Sequence, residues 1–431
     1  MQLALERNPT ILRAQHDIER THGLVITAKA TLYPSVTVNS RVEERDDDLF
    51  SQGQDPTIQR FRDFWTVQLI VDQSLYSGGV HRQQIAIAKL QNEAALVQLQ
   101  ATIDDVLKKV KYAVYSVAVS RAEIDSGQQT IQLLQREQSR QKALFDAGRT
   151  TRFNVLRTEV SLGNEDAHLY QLRNDLISSE ISLDTLLNIA WPKNQTAEEP
   201  PFAISENLAC PPVGKIKVDD FIALALERRP ELQVLDRQID IAERQIKIDK
   251  AALIPHVDAF VSDEQFRDQE QTSIRASENN YGVGLLGTWN VFDGYASKGQ
   301  AISDTATLTT THISRDEMSL QIANEVRDAY NRLLSAQQII ESQEANEKTA
   351  EESVRLAQVS ADNGYATLLD VLQATLDLTA ARGEGIRTRQ SYLEALADLE
   401  RAVSLKFTDW PETVMDVKAG DAPTLRSSGT H

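Results

Sequence analysis

The sequence predicts a mainly α-helical protein with very long, coiled-coil-like helices and a small β part of four strands. Two observations carry this prediction. The chain of 431 residues keeps its 12 prolines out of two windows, 57–191 and 256–410, and its whole pattern is duplicated. Proline inside a helix costs about 3 kcal/mol, so its absence permits helices of unusual length. At ~1.5 Å per residue, a run of about 68 residues is on the order of 100 Å long, so we expect an elongated molecule.

Composition and charge disfavour several classes of function. The chain has 45 basic and 63 acidic residues and a formal net charge of −18, and such a surface repels phosphate, so we expect no nucleic-acid partner. A single cysteine, Cys210, excludes an intramolecular disulfide and every multi-cysteine metal site. The histidines show no ligand spacing, so no metal or cofactor is predicted. The sequence has no recognisable nucleophile–base pair or phosphate loop, so we do not expect an enzyme.

Apolar residues recur at a three-four spacing through both long windows, which indicates a narrow coiled-coil seam. This pattern predicts long helices over about 80–147 and 295–362, each followed by a second helix, over about 151–189 and 367–405. The seam positions are Ile103, Val106, Leu107, Val110, Val114, Val117, Ile124, Ile131 and Leu134 in the first long helix, and Ile322, Val326, Tyr330, Leu333 and Ile340 in the second.

The duplication predicts two copies of one unit of roughly 200 residues. The first copy covers 1–191 and the second covers 219–408; a proline-rich linker, 192–218, joins them, and a tail, 409–431, follows. The matching segments are Ala4-Leu5-Glu6-Arg7-Asn8-Pro9 with Ala225-Leu226-Glu227-Arg228-Arg229-Pro230, Leu32-Tyr33-Pro34 with Leu253-Ile254-Pro255, Leu75-Tyr76-Ser77-Gly78 with Val291-Phe292-Asp293-Gly294, and Gly148 with Gly364.

Each copy also contains two segments in which apolar and polar residues alternate, which predicts strands. They lie at about 35–44 and 63–75 in the first copy and at about 257–264 and 280–292 in the second. A polar loop separates each pair, and the acidic run in the first loop is interpreted as solvated rather than calcium-binding. Strands of this length cross a bilayer when tilted. Four strands cannot close a barrel, so membrane-spanning strands would require an oligomer.

The order, duplication and spacing of these motifs resemble the TolC family of outer-membrane efflux channels, from about residue 3 to residue 408. The resemblance rests on the Ala-Leu-x-x-Asn-Pro opening, the switches between helix and strand, and the glycine turns. It implies a homotrimer in which each chain contributes four strands to one 12-stranded β-barrel in the outer membrane. The helices would form an α-helical barrel through the periplasm, and the linker 192–218 and the tail would belong to an equatorial belt.

The function implied by the resemblance is that of a passive exit duct. As the outer-membrane channel-tunnel of a tripartite efflux or type I secretion system, the protein would contact membrane lipid and a periplasmic adaptor protein, and would receive substrates from an inner-membrane pump. The alternative is a soluble structural coiled-coil scaffold, which explains the helices and the acidity but not the four alternating segments. Met1 leads directly into the first helix without a secretion leader, as expected for a mature or trimmed chain.

The resemblance also implies a pore constriction at the tips of the helical hairpins. Asp370 matches the first acidic position of the family pattern, Gln373 replaces the second, and Asn154 takes the corresponding place in the first copy. The closing links of the family fall on Asn154, Ala361 and Ala366, so they are absent as such.

Arg149 and Arg152 are the candidates to replace those links, and the turns that contain them, with Gly148 and Gly364, are the expected adaptor-docking site. A second reading is compatible with the first. Thr367-x-x-Asp370 is a capping-box pattern, and both glycines suit left-handed positions at helix ends. Trp65, Tyr281 and Trp289 are candidates for an interfacial aromatic girdle, with ordinary strand packing as the alternative.

Overall fold

The structure is a computed structural model. It describes residues 1–44, 59–60, 63–190, 208–211, 213, 215–267, 270–271, 278–409 and 415–416. Most of the polar loop with the acidic run, most of the linker 192–218 and most of the tail 409–431 lie outside the described residues.

The helices repeat with equal lengths in the two halves of the chain. The helices α2 and α6 have 22 residues each, α3 and α7 have 67 each, and α4 and α8 have 36 each. The bounds are α1 Gln2–Arg7, α2 Pro9–Ala30, α3 Val80–Asp146, α4 Arg152–Leu187, α5 Val218–Arg228, α6 Pro230–Ala251, α7 Ala296–Asp362 and α8 Leu368–Val403. The duplication seen in the sequence is therefore also a duplication of structure.

No helix among the described residues is both long enough and apolar enough to cross a membrane.

The strands form one antiparallel sheet in the order β1-β2-β3-β4. Their bounds are β1 Ser35–Glu44, β2 Asp63–Tyr76, β3 His256–Arg267 and β4 Glu278–Thr288. The central pair, β2 and β3, joins the two repeats. Two further short ladders pair Gln59–Arg60 with Glu270–Gln271 and Lys215–Ile216 with Met415–Asp416.

The fourth strand ends earlier than the sequence predicts. It was expected to reach about 292, but it stops at Thr288. Beyond that point the indole Nε1 of Trp289 donates to the carbonyl oxygen of Leu253, 3.0 Å away, and the chain then turns at Gly294 with φ +67°. The apolar residues after Thr288 therefore belong to the turn into α7 and not to the sheet.

The chain divides into two compact units, and each draws on both repeats. Unit 1 comprises Met1–Gln15, Gln98–Leu232 and Glu317–His431; unit 2 comprises His16–Val97 and Gln233–Asp316. In unit 1, seam residues of α3 pack with α1 and α4, and those of α7 pack with α5 and α8. The fully buried seam residues include Val110, Val117, Ile322, Val326 and Leu333. Unit 2 holds the sheet and the helix ends next to it.

Cys210 packs against the core that α7 forms with α5 and α8. It is a free thiol, and burial raises its pKa above the ordinary value. This environment stabilises the neutral thiol and suits a small apolar side chain that fills space.

Candidate functional site: the sheet faces and the helical tips

The two faces of the sheet differ sharply in polarity. Residues paired across the strands share a face, and one such row is Val36, Val71, Val261 and Val283. The adjacent row on the opposite face is Thr37, Ile70, Ser262 and Gly282. Two positions farther along β1, the next row on that same face is Asn39, Gln68, Glu264 and Asn280. One face is therefore mainly apolar and the other mainly polar.

The apolar face is open in the single chain. Val283 is 80% exposed and Tyr281 is 83% exposed, and the strand order places β1 and β4 at the two edges. Exposed apolar faces of this kind mark a surface for lipid or for a protein partner. Of the predicted girdle residues, Trp65 and Tyr281 lie on this face, as their pairing with Val42 and Asp263 shows. Trp289 lies beyond the end of β4.

The two hairpin tips have the same backbone geometry. At each tip a glycine with positive φ follows the long helix, Gly148 at +69° and Gly364 at +79°. The next amide reaches back along the helix, from Arg149 to Leu144 O and from Tyr365 to Ser360 O, both at 2.8 Å. This is the Schellman arrangement, in which a left-handed residue turns the chain so that the backbone amides at the turn donate to the last carbonyl groups of the helix. Sequence spacing therefore located both turns correctly.

Asp370 closes a capping box at the start of α8. Its Oδ2 accepts from the amide and the hydroxyl of Thr367, each at 2.7 Å, and its own amide donates to Thr367 Oγ1 at 3.4 Å. The bond from the Thr367 side chain is the main cause that lowers the pKa of Asp370 below its ordinary value. The stabilisation from this cap is thus present near neutral pH and is lost as the pH falls through the lowered pKa.

The other two predicted constriction residues make different bonds. Asn154, in the first copy, donates through Nδ2 to Thr150 Oγ1 at 2.9 Å, and Thr150 donates in turn to Gln141 of α3. Gln373 donates through Nε2 to Asp377 Oδ1 at 2.9 Å. Asp370, Gln373 and Asp377 follow the i, i+3, i+7 spacing of one helix face, so a second carboxylate lies just beyond the glutamine. Asp377 was not among the residues predicted from the sequence, although its spacing from Asp370 and Gln373 is present there.

Arg149 and Arg152, the candidates to replace the closing links, make no ion pair with the described residues of their own chain. Both side chains are exposed. Arg140 of α3 instead pairs with Asp362, the last residue of α7, at 2.9 Å, and also with Glu137 at 3.1 Å. This pair joins the two helical hairpins near their tips.

Exposed apolar side chains surround the tips. Tyr365 is 89% exposed and Phe153 is 67% exposed, and Phe145 and Leu369 are also exposed. Aromatic residues that remain in water at the end of a long hairpin are candidates for contact with a partner. The sequence places Tyr365 directly after Gly364, and that position in a tight turn was the signal that could have identified it.

Among the described residues, no group of three or more His, Cys, Asp and Glu side chains is arranged to hold a metal ion.

A sheet with one exposed apolar face, joined to long helical hairpins, defines the class of outer-membrane channel proteins. The family model described as outer membrane efflux protein matches residues 1–188 and 221–404. The alkaline protease secretion protein AprF of Pseudomonas aeruginosa is 22% identical over 433 residues, which cover 98% of this chain and 88% of AprF.

Two further similarities agree with this match. The cation efflux system protein CusC of Escherichia coli O157:H7 is 24% identical over 190 residues, which cover 44% of this chain and 40% of CusC. The crystal structure of the outer membrane protein VceC from Vibrio cholerae is 17% identical with a TM-score of 0.75, and the match covers 94% of this chain and 95% of VceC.

The chain belongs to the outer membrane efflux protein family, and the resemblance to TolC-family channels is confirmed. The protein is an outer-membrane channel-tunnel component for efflux or secretion, and the members of its family are channel proteins. The alternative of a soluble coiled-coil scaffold is therefore set aside. The fold class expected from the sequence, long helices with four strands in each chain, is confirmed as well.

Proposed function

We propose that three copies of the chain assemble through their sheets into one 12-stranded barrel in the outer membrane. The observation that carries this proposal is the four-stranded sheet with an apolar face and two edge strands, β1 and β4. Every backbone N–H and C=O group in lipid needs a partner, and an open sheet leaves its edges unpaired. Pairing of β4 in one copy with β1 in the next satisfies both edges at once.

The helices of the three copies would continue this barrel as a tube through the periplasm, with the linker 192–218 and the tail 409–431 as its belt. The tube would receive its cargo from an inner-membrane pump through an adaptor that docks at the tips. AprF, matched over nearly the whole of both chains, is named for the secretion of alkaline protease, so a polypeptide is the first cargo to test. Because the hairpins already meet at Arg140 and Asp362, this pair is our proposed replacement for the missing closing links.

The assembly predicts a specific mass for the protein extracted in detergent. After correction for bound detergent, we expect a species of about three times the 48.1 kDa of one chain. Light scattering coupled to size-exclusion chromatography measures this mass directly. A stable monomer with its strands intact, as judged by circular dichroism, would exclude closure between copies.

We also propose that Asp370 lies at the narrowest point of the closed tube, with Asp377 adding a second ring of carboxylates. Rings of carboxylates favour cations in a pore. Asp370→Asn is therefore expected to weaken cation selectivity and block by multivalent cations in planar-bilayer recordings. It should lower the melting temperature only slightly, because an asparagine Oδ1 can still accept from the Thr367 amide and only the charge near the helix N-terminus is lost.

The matched control for this prediction is Asp125→Asn, which removes another exposed carboxylate from a long helix. Like Asp377, Asp125 accepts a hydrogen bond from a glutamine at a distance of 2.9 Å. Selectivity and block should remain unchanged in the control. If Asp370→Asn also leaves both unchanged, Asp370 acts as a helix cap and not as part of the pore.

A further inference from the structure

Two aspartates of unit 2 face each other between α6 and α7. Asp249 lies in the last turn of α6 and is only 7% exposed. Asp304 lies in the third turn of α7, and the two carboxyl groups are within hydrogen-bonding reach of each other. The pair therefore joins the helix that enters β3 to the helix that leaves β4.

The two carboxyl groups have matching surroundings. Gln245 donates through Nε2 to Asp249 Oδ1 at 3.4 Å, and Gln300 donates to Asp304 Oδ1 at 3.1 Å. On each side the glutamine precedes the aspartate by four residues, one helical turn away. The Oδ2 atoms of both aspartates are buried, and no donor among the described residues reaches them. Two acceptors that face each other in this way need a hydrogen between them.

The first repeat shows that the fold does not require these acids. When the repeated helices of equal length are aligned, Asp249 of α6 corresponds to Ala28 of α2, and Asp304 of α7 corresponds to Ala88 of α3. Ala88 is buried. The positions that hold the two carboxyl groups in the second repeat are therefore held by two small apolar residues in the first.

The charge balance at the pair is unfavourable to two carboxylates. Burial and, after it, the neighbouring Asp304 raise the pKa of Asp249 above its ordinary value. No basic side chain among the described residues lowers the pKa of Asp249, and Arg244 of the same helix directs its Nη1 to Gln83 of α3, 3.2 Å away. Two neighbouring carboxyl groups make it costly for both to ionise.

We propose that Asp249 and Asp304 share one proton in the folded protein, and that its loss at higher pH weakens the contact between α6 and α7. In the protonated state one Oδ2 carries the hydrogen and donates it to the other, so the pair holds a single negative charge. When that proton leaves to solvent, two carboxylates repel each other across the contact. The second repeat, which flanks the hairpin of β3 and β4, thus contains a pH-sensitive contact between two helices that the first repeat lacks.

The first test is infrared spectroscopy of the full-length protein in detergent. The difference spectrum between wild type and Asp304→Asn should contain the carbonyl band of one protonated carboxylic acid at pH values above the ordinary aspartate pKa of ~3.9. The band should disappear in a single transition as the pH is raised. A spectrum in which this band has already gone at the ordinary aspartate pKa would overturn the proposal.

The second test is the melting temperature as a function of pH. The folded state keeps a proton that the unfolded state has already released, so stability falls as the pH rises from the ordinary aspartate pKa through the raised one. The double variant Asp249→Ala with Asp304→Ala restores the residues of the first repeat and should remove this fall. It should therefore melt above wild type at alkaline pH.

A bound divalent cation would give a different set of results. Chelation would then lower the melting temperature of wild type but not of the double alanine variant, and the infrared band would be missing. That combination would contradict a shared proton. Equal pH dependence of wild type and the double variant would contradict it too, because the variant keeps every titratable group except the pair.

Discussion

Val261→Arg is expected to abolish assembly of the protein in the outer membrane. Val261 lies in the middle of the apolar face, between Val71 of β2 and Val283 of β4, and it is exposed in the single chain. An arginine on the lipid face of a barrel costs about 2–4 kcal/mol near the bilayer midplane. A trimer carries the change three times, so the total cost is comparable to the whole stability of many domains, about 5–15 kcal/mol.

The adjacent residue provides the matched control. Ser262 lies on the polar face, where it pairs with Ile70 of β2 and Gly282 of β4. An arginine on this face can remain hydrated. We expect Ser262→Arg to assemble at close to the wild-type level, while Val261→Arg fails to appear as a trimer in detergent extracts of outer membranes. Equal assembly of the two variants would show that the apolar face does not contact lipid.

The sequence predicted the helices and turns well because local chemistry determines them. Absence of proline and a seam such as Val110 to Val117 are sufficient to define a helix of 67 residues. Gly148 and Gly364 take up left-handed conformations that most other residues adopt only at a cost. These features depend on neighbours within a few positions of the same chain, and a single sequence contains all of them.

The candidate site was predicted less completely because its bonds join distant segments. Arg140 pairs with Asp362, more than 200 positions away, and no local pattern in the sequence reveals that contact. Asp377 was not predicted because the family pattern places its second acidic position at Gln373, one turn earlier on the same face. Asp249 and Asp304 were missed because the packing of α6 on α7 is required to bring them together.

Tyr365→Asp is expected to reduce export by at least tenfold without loss of the trimer. The Tyr365 ring is almost fully exposed at the tip, where the proposed adaptor must dock, and aromatic residues that become buried in an interface commonly contribute 2 kcal/mol or more, on the order of 30-fold in affinity. A carboxylate at this position replaces the apolar contact with a charge that would need to be desolvated. Phe153→Asp, at the tip of the other hairpin, should act in the same direction.

The control for the tip variants is Tyr170→Asp. Tyr170 is an exposed tyrosine of α4, about 27 Å from the start of that helix at 1.5 Å per residue. Export of a polypeptide cargo and crosslinking to the adaptor should both decline for the tip variants and stay near wild type for the control. Because Tyr365 is open to solvent and contributes nothing to a buried core, its replacement should leave the melting temperature and the trimer mass unchanged. If export falls equally in all three variants, the helical surface as a whole is required and docking is not confined to the tips; if the tip variants export normally, Tyr365 and Phe153 do not contact the adaptor.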